Sequence, residues 1–257
     1  MKLQPVLRGN PDGPPVVFLH GGSFTGRMWW QIADLLPDFY SVIPDLPGHG
    51  NNRAQPLISL SQAADDVADL IKELFGDQPV NLVGLSLGGY VGLHLLLQHP
   101  QLIKRAMISG VHAGNMPHPK LMILATTLSS PLMRFRWFRK QMVKMMGLDD
   151  YSLASDEESR ANASPKTMRK VGRLAIEFDV REKMELIATP TLVLAGEKEH
   201  DAIRGDLSLF QNKLKQCRAM TVRDVGHGWS SEDPVLFAET ARAWFNKQAL
   251  PQKLQPL

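Results

Sequence analysis

Cysteine is almost absent from this chain. A single residue, Cys217, excludes an intrachain disulfide framework. No uninterrupted apolar stretch reaches the length of a membrane span, and the opening residues Met1-Lys2-Leu3-Gln4-Pro5 lack the apolar core of a secretory signal. The expectation is therefore a cytoplasmic protein with no stable membrane insertion. Repeats and low-complexity tracts are also missing. The eight histidines are scattered, and His112 and His118 do not share the i, i+4 spacing of a helix face, so no metal site is expected. Acidic residues are missing from one long stretch. Between Asp77 and Asp149 there is none, against eight basic residues: Lys104, Arg105, Lys120, Arg134, Arg136, Arg139, Lys140 and Lys144. Such a field attracts anionic substrates or surfaces, but a solvated helix face is the simpler expectation. No nucleic-acid-binding motif accompanies the charge, so no nucleic acid is expected as a partner.

What is present is an ordinary globular composition. The 257 residues are 44% hydrophobic and 21% charged, with a net charge of +3, which fits one large α/β domain or a core with one insertion. Short continuous apolar runs at 16–19, 40–43, 80–85, 106–109, 191–195 and 219–222 read as buried parallel strands. Helical patterns occupy 28–36, 61–75, 90–98, 206–216 and 234–247. Alternation of the two predicts a mostly parallel, doubly wound sheet. Residues 3–8 predict an antiparallel edge strand, turned back by Asn10-Pro11-Asp12-Gly13.

From 111 to 186 the alternation stops. Helices are expected at 120–127, 131–146, 156–161 and 165–178, inserted after the strand that ends near Ser109. In such sheets strand ends on that side carry the site. The division expected is a core of 1–110 and 187–257 with a helical cap of 111–186. The cap holds eight of the twelve methionines, which suit either a pocket wall for varied apolar groups or plain core filling. Its run 131–146 sets Arg134, Arg136, Arg139 and Lys140 beside Phe135, Trp137 and Phe138. That pattern fits a lipid surface, but the expected arrangement is aromatic residues packed on the core with basic residues outward.

The most informative stretch is Gly84-x-Ser86-x-Gly88, between an apolar run and a helical one. This is the strand–turn–helix setting of a serine nucleophile elbow. The turn is so tight that the residues two before and two after the serine must be very small. The Leu87 N–H, opening the next helix, points to where an oxyanion would form. His227 follows the last expected parallel strand and is placed to act as base for Ser86. A carboxylate must then orient the imidazole. The loop after the fifth strand offers Glu199, the preferred choice, and Asp201, the second; Asp224 lies too close to His227 in sequence. A second oxyanion donor is expected from Gly22 or Ser23 in His20-Gly21-Gly22-Ser23. Phe24, Met122, Met142 and Trp229 are the expected pocket residues. No dinucleotide fingerprint exists: Gly84–Gly89 has no acidic residue at the ribose-binding distance, and no cofactor is expected.

Taken in order, His20-Gly21-Gly22, Asp45-Leu46-Pro47-Gly48-His49-Gly50, Gly84-Leu85-Ser86-Leu87-Gly88-Gly89, Gly196-x-x-Glu199 and Gly226-His227 resemble the successive signatures of the α/β-hydrolase superfamily, over about 16–245 with the cap as interruption. The resemblance implies the α/β-hydrolase fold and a serine carboxylesterase-like enzyme acting through an acyl-enzyme on Ser86. It also implies that Asp45, Gly48 and His49 shape a loop beside the site. Two departures stand out. Many relatives carry Asp where this chain has Glu199, and many have two N-terminal edge strands where this one has room for one. Serine at the elbow sets the chain apart from the haloalkane dehalogenases and epoxide hydrolases of the superfamily, which use Asp, and from dienelactone-type enzymes, which use Cys. The expected substrate is a small-molecule ester, with the protein a monomer or homodimer. The same triad also serves C–C bond and lactone hydrolases and small-molecule receptors derived from hydrolases.

Overall fold

Residues that alternate strictly between two apolar environments make a strand buried on both faces. The run Pro15–Leu19 does so: every residue is buried. Val17 and Leu19 enter one core cluster, and Val16 and Phe18 the other. The computed structural model describes residues 2–22, 24–114, 116, 118–129, 132, 135, 137, 141 and 163–257. Eight strands form one sheet: β1 Pro5–Gly9, β2 Pro15–Leu19, β3 Tyr40–Pro44, β4 Val80–Leu85, β5 Ile103–Ser109, β6 Thr191–Gly196, β7 Cys217–Val222 and β8 Leu254–Pro256. Their order is β1-β3-β2-β4-β5-β6-β7-β8. The six inner strands are parallel, while β1 on β3 and β8 on β7 are antiparallel. The described helices are α1 Trp30–Asp34, α2 Leu60–Phe75, α3 Leu87–Gln98, α4 Pro119–Ser129, α5 Pro165–Glu177, α6 Asp201–Lys213, α7 Trp229–Glu232 and α8 Pro234–Phe245.

The sheet therefore has a helical layer on each side. Residues of α2, α3 and α6 pack in one core, with Val67, Leu93 and Phe210 fully buried. The other core joins Trp29, Phe237 and Trp229, whose rings meet at 5.3 and 4.4 Å between centroids. Local chemistry starts several helices where they begin. Ser59 accepts from the Gln62 N–H, Ser164 from the Thr167 N–H and Asp233 from the Leu236 N–H, the last two with proline at the start of the helix.

Several boundaries differ from expectation. The pattern at 28–36 divides into a 3-10 turn, Gly26–Trp29, and α1. Helix α6 begins at Asp201, five residues early, because the His200 side chain accepts the Ala202 N–H and starts the helix there. Strand β8 was not foreseen. In the stretch between β5 and β6, α4 and α5 correspond to two of the expected helices. The segment expected at 156–161, and most of 131–146, lie outside the described residues. Leu132, Phe135 and Trp137 are 38%, 40% and 63% exposed. For Phe135 and Trp137 that corrects the expectation of packing on the core, and Phe138 lies outside the described residues. Among the described residues no helix is long and apolar enough to cross a membrane.

Candidate active site

Ser86 stands at the junction of β4 and α3 with φ 54° and ψ −116°. A side chain at positive φ is strained, and the surroundings must hold it there. Two close approaches do so. A Cβ on Gly84 would lie 2.5 Å from the Gly88 carbonyl oxygen, and one on Gly88 would lie 2.1 Å from that of Leu19. Hydrogen bonds tie the turn to the neighbouring strand ends: Ser86 N–H to Ser109 O at 2.9 Å and Gly88 N–H to His20 O at 3.0 Å. Leu87 opens α3, where first-turn N–H groups have no intrahelical acceptor and form the positive end of the helix dipole.

Glu199 and His227 come together beside this elbow. His227 Nδ1 donates to Glu199 Oε1 at 2.5 Å, and the Gly196 N–H donates to Glu199 Oε2 at 2.8 Å. The Glu199 side chain is fully buried, whereas the imidazole keeps 14% of its surface open. Of the two carboxylates left open by the sequence, Glu199 is the one that meets the ring. Asp201 is the first residue of α6, its side chain 88% exposed and paired with Arg204.

Two residues that sequence reasoning did not single out join these parts. Gly110 has φ +69°, and a Cβ there would stand 2.8 Å from His227 Cε1 and 3.2 Å from Glu199 Oε1. Its neighbour Ser109 accepts the Ser86 N–H on its carbonyl. The serine backbone and the imidazole thus converge on the end of β5. Ser109 Oγ donates to Leu194 O at 3.2 Å and accepts the Trp229 Nε1–H at 2.8 Å. The available signal was a small pair, Ser109-Gly110, at the end of an apolar strand. Trp229 stands beside them. Expected in a pocket wall, it is fully buried with its ring against Phe237, a core brace just beyond His227.

The turn after β2 is held by two buried histidines. His20 Nδ1–H donates to Gly21 O at 2.8 Å, and Nε2 accepts the Leu46 N–H at 2.8 Å. His49 Nε2 meets Gly22 O at 2.8 Å, and Nδ1 meets Pro47 O at 3.0 Å. The carbonyls of Gly21 and Gly22 are therefore anchored, and with the first of them the plane of the peptide that carries the candidate Gly22 N–H donor. Asp45 steadies the same loop, accepting the Gly26 and Asn51 N–H groups at 2.8 Å each. Ser23 and Met142 lie outside the described residues. Phe24 is half-buried and abuts Gly21, and Met122 is half-buried on α4. Helix α5 lies over this turn: a Cβ on Gly22 would lie 2.4 Å from Val171 Cγ1 and 3.6 Å from Leu87 Cβ.

Complete burial, with His49 alongside, lowers the His20 pKa to about 3. The geometry agrees, because a proton on Nε2 would face the Leu46 N–H. The unfolded ring binds a proton near pH 6.5 and the folded ring does not until about pH 3. Its contribution to stability is therefore complete above pH 6.5 and is lost as the pH falls toward 3. Burial lowers His94 and His112 in the same direction. Thermal melts from pH 8 down to 5 should show a falling midpoint, with a shallower fall in His20→Gln. Equal slopes in the two proteins would refute this assignment.

A mostly parallel sheet whose strand ends gather a strained serine, a buried His–Glu pair and an anchored glycine turn defines the hydrolases built on doubly wound sheets. A family model described as the alpha/beta hydrolase family matches residues 16–240, and the chain belongs to that family. It is 26% identical to a carboxylesterase, YbfK, of Bacillus subtilis, over 91% of this chain and 80% of the relative. It is 28% identical to a 2-succinyl-6-hydroxy-2,4-cyclohexadiene-1-carboxylate synthase of Citrobacter koseri, over 88% and 91% of the two chains. An esterase of Exiguobacterium antarcticum superposes with a TM-score of 0.82 at 19% identity, covering 95% of this chain and 96% of the other, which shows the shared fold.

Proposed function

We propose that the protein hydrolyses carboxylic esters through an acyl-enzyme on Ser86. The observation that carries the reading is the contact between His227 Nδ1 and the buried Glu199 carboxylate beside the elbow. That contact places the Nδ1 proton and leaves Nε2 to take the Ser86 hydroxyl proton as Oγ attacks the ester carbonyl. The Leu87 N–H and that of Gly22 or Ser23 stabilise the tetrahedral anion. The imidazolium returns its proton to the departing alcohol. Water, deprotonated by the same ring, then releases the acid and restores Ser86. In this reading residues 111–186 form the cap, α5 covers the oxyanion turn, and Phe24 and Met122 line the acyl side.

A second reading rests on one comparison: the relative named as a synthase is as similar as the esterase. It assigns the same residues to C–C bond or lactone substrates. Hydrolysis of p-nitrophenyl acetate, butyrate and octanoate separates the two. The esterase reading expects turnover that Ser86→Ala lowers by at least about 10³-fold, with chain length sizing the pocket. No Ser86-dependent turnover on any of the three would reject it in favour of the second reading.

A further inference from the structure

Two neighbouring helices between β5 and β6 show unlike outer faces. Helix α4 exposes Leu121, Leu124 and Leu128 to 63%, 54% and 71%. Their i, i+3, i+7 spacing puts them on one face. Helix α5 packs against α4 and carries Lys166, Arg169, Lys170 and Arg173 at i, i+3, i+4 and i+7. Lys166, Arg169 and Arg173 are exposed and Lys170 is half-buried. On the opposite side of α5, Val171, Leu174 and Ala175 rest against the core. Beyond α4, Leu132, Phe135 and Trp137 are also exposed, and the sequence around them holds no acidic residue between Asp77 and Asp149.

Soluble surfaces seldom leave leucines aligned in water, and such alignment marks an interaction site. Charge narrows the occupant. A second copy of this chain, docked face to face, would set like charges against each other. An acidic protein would answer the basic face and leave the leucines without a role. An anionic bilayer answers both: basic side chains in the headgroup layer, apolar ones at the acyl boundary, and a tryptophan at the interface. We propose that the α4–α5 face adsorbs to anionic lipid surfaces, with Leu121, Leu124 and Leu128 as its apolar contact. This is peripheral binding, not insertion, and it does not depend on the ester chemistry. Since Val171 of α5 also covers Gly22, adsorption would hold the oxyanion turn close to the bilayer.

The molecule carries its own reporter. Of five tryptophans, Trp29, Trp229 and Trp244 are buried and Trp30 is half-buried, while Trp137 is 63% exposed. The 257-residue protein is mixed with vesicles of phosphatidylcholine alone or with added phosphatidylglycerol. Expected is co-sedimentation with the anionic vesicles only, weakened by salt. A blue shift of tryptophan emission should accompany it and be absent in Trp137→Phe. The double variant Leu124→Gln, Leu128→Gln should lower vesicle partitioning by about tenfold or more. Its melting midpoint, and any Ser86-dependent turnover of a soluble ester, should stay unchanged, which shows that it still folds. No binding to anionic vesicles, or binding without the Trp137 shift, would overturn the proposal. So would a vesicle-independent dimer that hides Trp137 and is broken by the leucine variant, which would assign the face to a second copy.

Discussion

Glutamine at position 199 should lower kcat by about 10⁴-fold on any ester the wild type hydrolyses. Asparagine at 201 should change it by less than about twofold, since that carboxylate is exposed and its ion pair is worth little. The difference follows from one nitrogen. Glu199 Oε1 receives the His227 Nδ1 proton, and Glu199 Oε2 is already held by the Gly196 N–H. A glutamine amide presents N–H where the carboxylate accepted. The ring then turns its proton to Nε2, and the nitrogen facing the serine can no longer act as a base. The size of the side chain is unchanged, so the melting midpoint separates loss of chemistry from loss of fold. The assignment fails if the two variants lose activity equally, or if Asp201→Asn is the worse.

Gly110→Ala is the second large effect. A methyl group there must avoid His227 Cε1 at 2.8 Å and Nδ1 at 3.0 Å while the backbone keeps φ at +69°. The ring is the softer side of that contact, because it stands on a loop while the Gly110 N–H is hydrogen-bonded to Leu194 O within β6. Displacing the base by about 1 Å should cost about 10²-fold in kcat. The positive φ adds about 1–2 kcal/mol of destabilisation. Gly205→Ala is the matched control. It lies exposed within α6 with nothing within 4 Å of its Cβ position, and it should gain about 0.5–1 kcal/mol. Urea denaturation together with kcat on the same samples measures both quantities. An active Gly110→Ala enzyme would show that His227 does not need this seat.

Most of the sheet could be read from the chain because its inner strands are buried on both faces and so appear as uninterrupted apolar runs. Strand β5 was read short, since Lys104 is exposed and Arg105 half-exposed at its start, and both broke the run. Strand β8 was not legible at all. It has three residues and follows Pro251, and only its pairing with β7 makes it a strand. The elbow was legible because its chemistry is local: small residues on both sides of a serine, between a strand and a helix. The choice between Glu199 and Asp201 was not, because it depends on where α6 begins, and the ring nitrogen of His200 decides that. Ser109, Gly110 and the clasp of His20 and His49 on the glycine turn depend on chain segments far apart in sequence. The small pair Ser109-Gly110 and the histidines of the two motifs stand in the sequence, but most of their partners do not stand near them.

The strand order has a consequence for engineering. Strands β1 and β8, first and last in the chain, occupy opposite edges of the eight-stranded sheet. Seven steps between neighbouring strands separate them by about 34 Å. A circular permutant must bridge that span across a helical layer, which takes at least about ten extended residues. With a shorter linker, closing the ring would peel β1 or β8 from its partner, and the antiparallel edge strands would be the first parts of the molecule lost.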